Sequence, residues 1–169
     1  MPSPLAHLGL SLALGALFRR DTPSLRDGAL LAFASIAPDL DVIPMLWDPL
    51  GIRFHHGPTH SLLGAALIGL GLSIFSSHRL PVVASALLHV PLDWSTGDPG
   101  VAARYGVPLF WPFSQEKYIA AHPWFGAFGI DTPQGLGAMF GTEALSIYGK
   151  ELFTVGLAWG MVIFVRRLR

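Results

Sequence analysis

The residues best suited to chemistry in this sequence are concentrated between positions 55 and 61. The segment His55-His56-Gly57-Pro58-Thr59-His60-Ser61 holds three of the chain's seven histidines. Further ionisable residues, Asp39, Asp41, His89 and Asp93, stand at the ends of other apolar runs. Neutral imidazoles and ionised carboxylates are ligands of zinc and manganese, and the chain has no cysteine to supply a thiolate. The pattern therefore predicts a metal site built from His and Asp side chains.

Two pairs of candidate ligands have a spacing that can place both side chains in one site. His89 and Asp93 are four residues apart, so they share a face of a continuous helix. Asp39 and Asp41 are two residues apart, so they share a face only where the backbone is extended. Because prolines such as Pro38 interrupt a helix, we expect irregular, extended backbone around the two aspartates.

Within the histidine-rich segment, the expected roles differ from residue to residue. Pro58 is typical of the first turn of a helix, so we favour His55 and His60 as ligands that approach from a loop and a helix. His56 could support the ligands, join the metals or contact a phosphate. His56 and the hydroxyls of Thr59 and Ser61 are the candidate catalytic residues that would orient a scissile group.

The set of predicted metal ligands is larger than one tetrahedral ion requires. It suits a site with two divalent ions that activate water for attack on a phosphorus or carbonyl centre, with Zn²⁺ favoured and Mn²⁺ as the alternative. The predicted ligands are His7, Asp39, Asp41, His55, His60, His89 and Asp93. Each motif alone is weak, because Asp-x-Asp often caps a turn, a helical His–Asp pair is common, and His7 could be a core histidine.

The elements that must position these residues are apolar enough to lie in a membrane. The 169 residues are 51% hydrophobic and 13% charged, with a mean hydropathy of +0.50. Soluble domains average about 25% charged residues, so a soluble helical bundle is the less favoured alternative. Apolar runs occupy residues 5–18, 28–37, 61–75, 80–92 and 152–165, and Ser24 is a candidate N-cap for the second. We predict a single all-α domain, residues 1–169, that forms an integral membrane bundle of about five spans.

Residues 95–150, approximately, differ in character from the apolar runs. They are rich in Gly, Pro, Trp and Phe and contain no spanning run. Because amphipathic rings favour the headgroup zone, we predict an interfacial cap over the bundle, with a short amphipathic helix near Gly135 to Tyr148. The balance of 11 basic and 11 acidic residues gives no indication of nucleic-acid binding. The sequence does not indicate an oligomeric state.

The distribution of charge predicts the orientation of the bundle. With five spans, one side receives seven of the 11 basic residues and only two of the 11 acidic ones. The positive-inside rule places that side, with the C-terminus, in the cytoplasm and the N-terminus outside the inner membrane. The candidate ligands, which come from four separate segments, then all fall on the outer side. Structural histidines would have no reason to segregate in this way.

Several motifs resemble those of one known family. Ile36-Ala37-Pro38-Asp39-Leu40-Asp41, the segment from His55 to Ser61 and His89-Val90-Pro91-Leu92-Asp93 are similar to motifs of the YdjM-like (LexA-regulated) membrane-bound metal-dependent hydrolases. His7 and the stretch from Tyr105 to Phe113 fit the same pattern. The resemblance covers residues 5 to 118 and implies the same seven metal-site residues. The family usually has an arginine, whose guanidinium would bind phosphate, at the position of His56 in this chain.

The residues and the resemblance together predict a membrane-embedded metal-dependent hydrolase. We expect a phosphoesterase or phospholipase-type enzyme that acts on a lipid headgroup through metal-activated water. The expected partners are membrane lipids and a lipid or amphiphilic phosphate or ester substrate. The alternative is a non-catalytic metal-binding membrane protein or transporter, although a transporter would hold its polar residues near the bilayer midplane. An intramembrane metalloprotease is disfavoured because the chain has no His-Glu-x-x-His.

Overall fold

The described part of the chain is built from helices. The computed structural model describes residues 3–18, 24–46, 55–97, 106–128 and 135–169. The α-helices are α1 (Pro4–Phe18), α2 (Leu25–Ile36), α3 (Leu62–Ser73), α4 (Arg79–Trp94) and α5 (Thr142–Arg167). Three 3₁₀ helices accompany them, at Ala37–Leu46, Pro58–His60 and Gly135–Phe140. Within these residues only isolated bridges, and no strands, occur, which confirms the predicted all-α class.

Serine side chains begin two of the helices. Ser24 caps α2, and its hydroxyl accepts a hydrogen bond from the backbone N–H of Asp27 at 3.1 Å, as the sequence predicts. Ser61 caps α3 in the same way and accepts from the N–H of Gly64 at 2.9 Å. Each cap satisfies a backbone donor that has no partner inside its helix.

Helix α4 is the centre of the bundle, because it packs against α1, α2 and α3, while α5 packs against α1. The core between α2 and α4 consists of small and branched residues, including Leu31, Ala34 and Ala86. Helices α3 and α4 approach closely at Gly69, where an added Cβ would lie 2.8 Å from the Cα of Val83. Close helix packing through small residues is typical of membrane helices.

Helix α5 is the one helix among the described residues that is long and apolar enough to cross a membrane. It has 26 residues, and little of its apolar stretch is buried by the rest of the protein. Helices α1 and α3 are apolar but have only 15 and 12 residues, against the roughly 20 that span a bilayer. The all-helical part of the prediction is therefore confirmed, while one spanning helix, not five, meets the length criterion.

Residues 106–128 form an irregular segment, here called the cap segment, that lies against the ends of α3 and α4. The N–H of Leu62 donates to the carbonyl of Leu109 at 3.1 Å, and the N–H of Ala120 donates to the carbonyl of Trp94 at 2.8 Å. Residues 98–105 and 129–134 of the predicted cap lie outside the described residues. Gly135 to Tyr148, where a short amphipathic helix was expected, is helical, but it consists of the 3₁₀ helix Gly135–Phe140 and the start of α5, which begins at Thr142.

Candidate metal centre

The deepest part of the site is formed by α1 and α4. The i, i+4 spacing on α4 brings His89 Nε2 to 3.0 Å from Asp93 Oδ2. His7 of α1 lies beside this pair, with its Nε2 3.5 Å from Asp93 Oδ1 and its ring stacked on His89 at 4.2 Å between centroids. The side chains of all three residues have 0% solvent exposure. The helix-face argument for the pair is thus confirmed, and His7 joins it.

The two aspartates after α2 reach the site from a 3₁₀ helix, so the prediction of extended backbone was wrong. Asp39 Oδ1 lies 3.2 Å from His60 Nε2 and 3.5 Å from His89 Nε2. Asp41 Oδ2 lies 3.1 Å from the other nitrogen of the His60 ring, Nδ1. The two carboxylates therefore flank one imidazole instead of lying in parallel on one face of a strand.

The histidine-rich segment is a turn that leads through a short 3₁₀ helix into α3. His56 adopts a positive φ of 56°, a conformation that is uncommon outside glycine but in which histidine is enriched. Gly64 has no room for a side chain, because a Cβ there would lie 2.0 Å from the carbonyl oxygen of Pro58. The backbone of the histidine-rich segment therefore packs directly on the first turn of α3. The buried His60 ring faces α4, where Asp93 Oδ2 lies 3.3 Å from His60 Nε2.

Four ligand atoms, from Asp39, His60, His89 and Asp93, all lie within 4.8 Å of one another. Four of their mutual distances are 3.0, 3.2, 3.3 and 3.5 Å. Ligands about 2.0–2.1 Å from a tetrahedral zinc ion are about 3.3–3.4 Å from each other. These four distances are of the size that a divalent ion site requires.

Hydrogen bonds on the far side of each ring hold the imidazoles in a ligand orientation. His89 Nδ1 donates to the carbonyl oxygen of Ser35 at 2.7 Å, which leaves the lone pair of Nε2 towards the site. Asp41 lies beside Nδ1 of both His55, at 2.8 Å, and His60. A metal-binding histidine commonly donates its second N–H to a carboxylate or a backbone carbonyl. Asp41 therefore has the position of a residue that orients ligands, and the four-atom group above does not include it.

Several buried polar atoms at the centre of the site make no hydrogen bond. They are both ring nitrogens of His7, Nε2 of His89 and both carboxylate oxygens of Asp93. Leaving such atoms unsatisfied costs about 1–3 kcal/mol each, and more where they are charged. A divalent cation would provide the missing partner for several of them together, so the residues present fit a metal ion.

A second group, His55, His56 and His60, also has the dimensions of a metal site. It shares the residue His60 with the first group, so the two groups are adjacent. His56 Nε2 lies 3.7 Å from Asp93 Oδ2, which places His56 beside the four-atom group rather than within it.

The same contacts shift the pKa values of three site residues that lie outside the α-helices, His60, Asp41 and His56. Burial alone would lower the pKa of His60, but Asp39 and Asp41 at its two nitrogens raise it to about 10. Burial works against ionisation of Asp41, yet hydrogen bonds from His55 and His60 hold its pKa well below the usual range. Burial lowers the pKa of His56 well below its ordinary value. Without metal, the site thus holds a charged His60 between carboxylates.

A family model described as YdjM inner membrane protein matches residues 1–167, nearly the entire chain. This chain belongs to that family. The comparison with curated proteins and the comparison with solved structures each found no match. The family resemblance predicted from the motifs is confirmed, and an inner-membrane location agrees with the family's description. In this YdjM-family protein, the motifs that contain Asp39, His60 and His89 converge on the site.

The structure brings all seven predicted metal-site residues together at one end of the bundle. The predicted catalytic hydroxyls have other partners there: Thr59 Oγ1 donates to Asp41 Oδ2 at 3.0 Å. Ser61 Oγ donates to the carbonyl of Pro58 at 2.7 Å while it caps α3. Their part in orienting a substrate stays a prediction. The carbonyl of Ser35 is a contributor that the sequence did not indicate, since a backbone acceptor carries no residue-type signal.

Proposed function

We propose that this protein is a membrane-embedded, metal-dependent hydrolase whose substrate is a phosphate ester of a lipid or another amphiphile. The observation that carries the proposal is the group of four ligand atoms at mutual distances suited to a divalent ion. Further support comes from the imidazoles of that group, whose second nitrogens face a carbonyl or a carboxylate. Zn²⁺ is the favoured ion for this His and Asp ligand set, with Mn²⁺ as the alternative.

In this proposal, Asp39, His60, His89 and Asp93 hold the ion, and Asp41 fixes the orientation of two imidazoles. A bound divalent ion would polarise a phosphoryl oxygen and lower the pKa of a water molecule. A second ion, if bound, would use the adjacent group that contains His55. This group lies beside Asp41, whose carboxylate is 2.8 Å from His55 Nδ1.

The site has a closed floor and a more open rim. His7, His60, His89 and Asp93 have side-chain exposures of 0%, whereas the side chains of Asp39 and Asp41 are each 13% exposed. Water and substrate would therefore approach from the side of the two aspartates. The buried His56 lies near this rim and would contact the scissile group, in place of the arginine that the family resemblance implies.

The proposed location is a bundle of five spans with the site and the N-terminus outside. The 3₁₀ helix Ala37–Leu46, which carries Asp39 and Asp41, follows α2 directly. Basic side chains tie helix ends together away from the site: Arg26 donates to the carbonyl of Phe75 at 2.8 Å, and Arg166 donates to the carbonyl of Ala16. An arginine-rich end opposite the site supports a cytoplasmic C-terminus by the positive-inside rule.

The test is metal analysis combined with hydrolysis assays on detergent-purified protein. We expect at least one zinc or manganese ion per chain and hydrolysis of phosphate esters or phospholipids that a chelator abolishes and added metal restores. His60→Asn should remove both the metal and the activity. His122→Asn is the matched control, because His122 is an exposed histidine of the cap segment. Metal-free wild-type protein, or hydrolysis that survives His60→Asn, would contradict the proposal.

A second candidate function is a structural metal centre without catalysis. One observation favours it: four protein ligands fill the coordination of a tetrahedral ion, as in structural zinc sites, whereas catalytic sites usually have three and an open position. The assay above separates the two functions. A structural ion would stabilise the protein against heat and resist chelation, and no ester would be hydrolysed.

A further inference from the structure

Three imidazoles beside the four-atom group form a cluster of their own, here called the rim triad: His55, His56 and His60. Their ligand atoms lie within 4.8 Å of one another. The ring of His56 is 4.3 Å from that of His55 and 4.8 Å from that of His60, and the last two rings are 4.9 Å apart, all between centroids. Three rings from one short turn are therefore gathered in one place.

The backbone of His56 is what brings two consecutive rings together. Neighbouring side chains point to opposite faces of a strand and diverge around a helix, so adjacent residues seldom serve one site. His56 instead has a φ of 56°, a left-handed conformation that is unfavourable for a residue with a Cβ. Such conformations are concentrated at sites that bind ligands. A ligand shared by His55 and His56 would offset the cost of this turn.

The ring of His60 has one nitrogen for each group. Its Nε2 faces the four-atom group, where Asp39 Oδ1 and Asp93 Oδ2 lie 3.2 and 3.3 Å away. Its Nδ1, on the other edge of the ring, lies 3.1 Å from Asp41 Oδ2. Because an imidazole can contact one ion through each nitrogen, His60 can belong to both groups at once. Asp41 would then compensate part of the charge of an ion at the rim triad.

The rim triad differs from the four-atom group in exposure and in its number of ligands. The side chains of His55 and His56 are each 8% exposed, whereas those of His89 and Asp93 have no exposure. Four protein ligands complete a tetrahedral ion, but three leave one position open, as in catalytic zinc sites. An ion at the rim triad would therefore keep a position for water or substrate.

The charges of the site also favour a second ion when the substrate is an anion. Asp39, Asp41 and Asp93 contribute three carboxylates, whereas one divalent ion contributes two positive charges. With one ion and neutral imidazoles, the site has a net negative charge and repels a phosphate. A second divalent ion removes this excess of negative charge.

We infer that the rim triad binds a second divalent ion and that His56 is one of its ligands. This inference rests on the proposed function and deepens it, because it assigns the ion that meets the substrate, while the four-atom group holds the deeper one. His56 then acts on the scissile group through the ion. The class of ligand is a divalent cation that accepts imidazole nitrogen, with Zn²⁺ favoured.

The experiment counts metal ions by equilibrium dialysis of detergent-purified protein against buffered Zn²⁺, and repeats the count with Co²⁺, whose visible absorption reports its coordination. We expect two ions per chain in the wild type and one in His56→Asn, with the affinity for the second ion lowered more than about 100-fold. Asparagine also adopts a positive φ, so this variant keeps the turn and loses the imidazole. His122→Asn, the matched control at an exposed histidine of the cap segment, should bind two ions.

The outcomes separate this inference from the proposed function. If the second ion depends on His56 but no ester is hydrolysed, the inference stands and the hydrolase proposal fails. If the wild type binds a single ion and hydrolysis depends on it, the inference alone is overturned. It is also overturned if His56→Asn binds two ions with affinities within about threefold of wild type and the same Co²⁺ absorption. His56→Gly, in which glycine adopts a positive φ freely, is the second variant should His56→Asn fail to fold.

Discussion

Two buried aspartates, one towards each end of the bundle, have opposite surroundings. Asp27, in the first turn of α2, accepts hydrogen bonds from Ser24 Oγ at 2.7 Å and from Ser76 Oγ at 2.9 Å. Asp93, in the last turn of α4, makes no hydrogen bond, and imidazole nitrogens of His89 and His60 lie 3.0 and 3.3 Å from it. Burial is therefore common to both, and only the partners differ.

The difference shows how to recognise a ligand among buried carboxylates. The hydroxyls around Asp27 complete its hydrogen bonds and tie α2 to the turn after α3, so that carboxylate is structural. The imidazoles around Asp93 direct their nitrogens at a common centre but do not form hydrogen bonds with its carboxylate. Such an arrangement is stable only with a cation or with protonated histidines at that centre.

The largest expected effect is the loss of metal in Asp93→Asn. Removing a group that merely orients a ligand lowers metal affinity about 10–100-fold, so removing the ligand itself should exceed about 100-fold. Asp27→Asn should leave the affinity unchanged and lower the free energy of unfolding by about 1–2 kcal/mol, because it weakens a helix cap. Competition titration with a chromogenic chelator and thermal unfolding in detergent measure the two quantities. Equal metal affinities in the two variants would show that the comparison misidentifies the ligand.

Asp41 is an intermediate case, because it accepts hydrogen bonds as Asp27 does but receives them from imidazoles. We expect Asp41→Asn to lower metal affinity about 10–100-fold while the bound stoichiometry at saturation is retained. Asp39→Asn, which removes a proposed ligand, should lower affinity further. The same chelator competition measures both variants. A loss of stoichiometry in Asp41→Asn would assign Asp41 to the ligands, as the sequence first predicted.

Much of this site could be predicted from the sequence because helical spacing is geometrically strict. The i, i+4 rule places His89 and Asp93 together whatever the rest of the fold does. Apolar runs predict helices, and consecutive helices run in opposite directions. The start of one helix and the end of the next therefore lie on the same side of the bundle. His7 enters the site for that reason, although it lies far away in sequence.

The features that could not be predicted depend on backbone geometry and on contacts between distant segments. Asp39 and Asp41 lie within a 3₁₀ helix where we expected extended backbone, since prolines disfavour a regular α-helix without selecting one alternative. The contact by which Asp41 orients His55 could not be predicted, because it joins two segments whose distance from each other the sequence does not give. The first ten residues of α5, from Thr142 to Glu151, were not predicted as part of this helix. They form an exposed, partly polar stretch, and the N-cap is a glycine, so the sequence carries no clear helix start signal there.

The pH dependence of the metal-free protein follows from the contacts of His60. Its pKa of about 10 lies above the usual 6.5, so protonated His60 stabilises the fold fully below pH 6.5. That contribution is lost as the pH rises through 10. We expect the melting temperature of metal-free protein to fall between pH 7 and pH 10, and the fall to be smaller in His60→Gln. Unchanged pH dependence in that variant would rule out His60 as the group responsible.

Among the carboxylates near the metal end, Glu151→Gln is expected to have the smallest effect on metal affinity, and it tests whether nearness to the site alone makes a carboxylate part of it. Glu151 is buried on α5 and accepts hydrogen bonds from the backbone N–H of Ser3, at 2.6 Å, and from its hydroxyl. Ser3 immediately precedes α1, four residues before His7, so Glu151 lies towards the metal end but has completed hydrogen bonds, as Asp27 does. If completed hydrogen bonds define a structural carboxylate, Glu151→Gln lowers the free energy of unfolding by about 1–3 kcal/mol and changes metal affinity less than about threefold. A loss of affinity as large as that of Asp41→Asn would instead mean that the register of α1, and with it His7, is part of the metal centre.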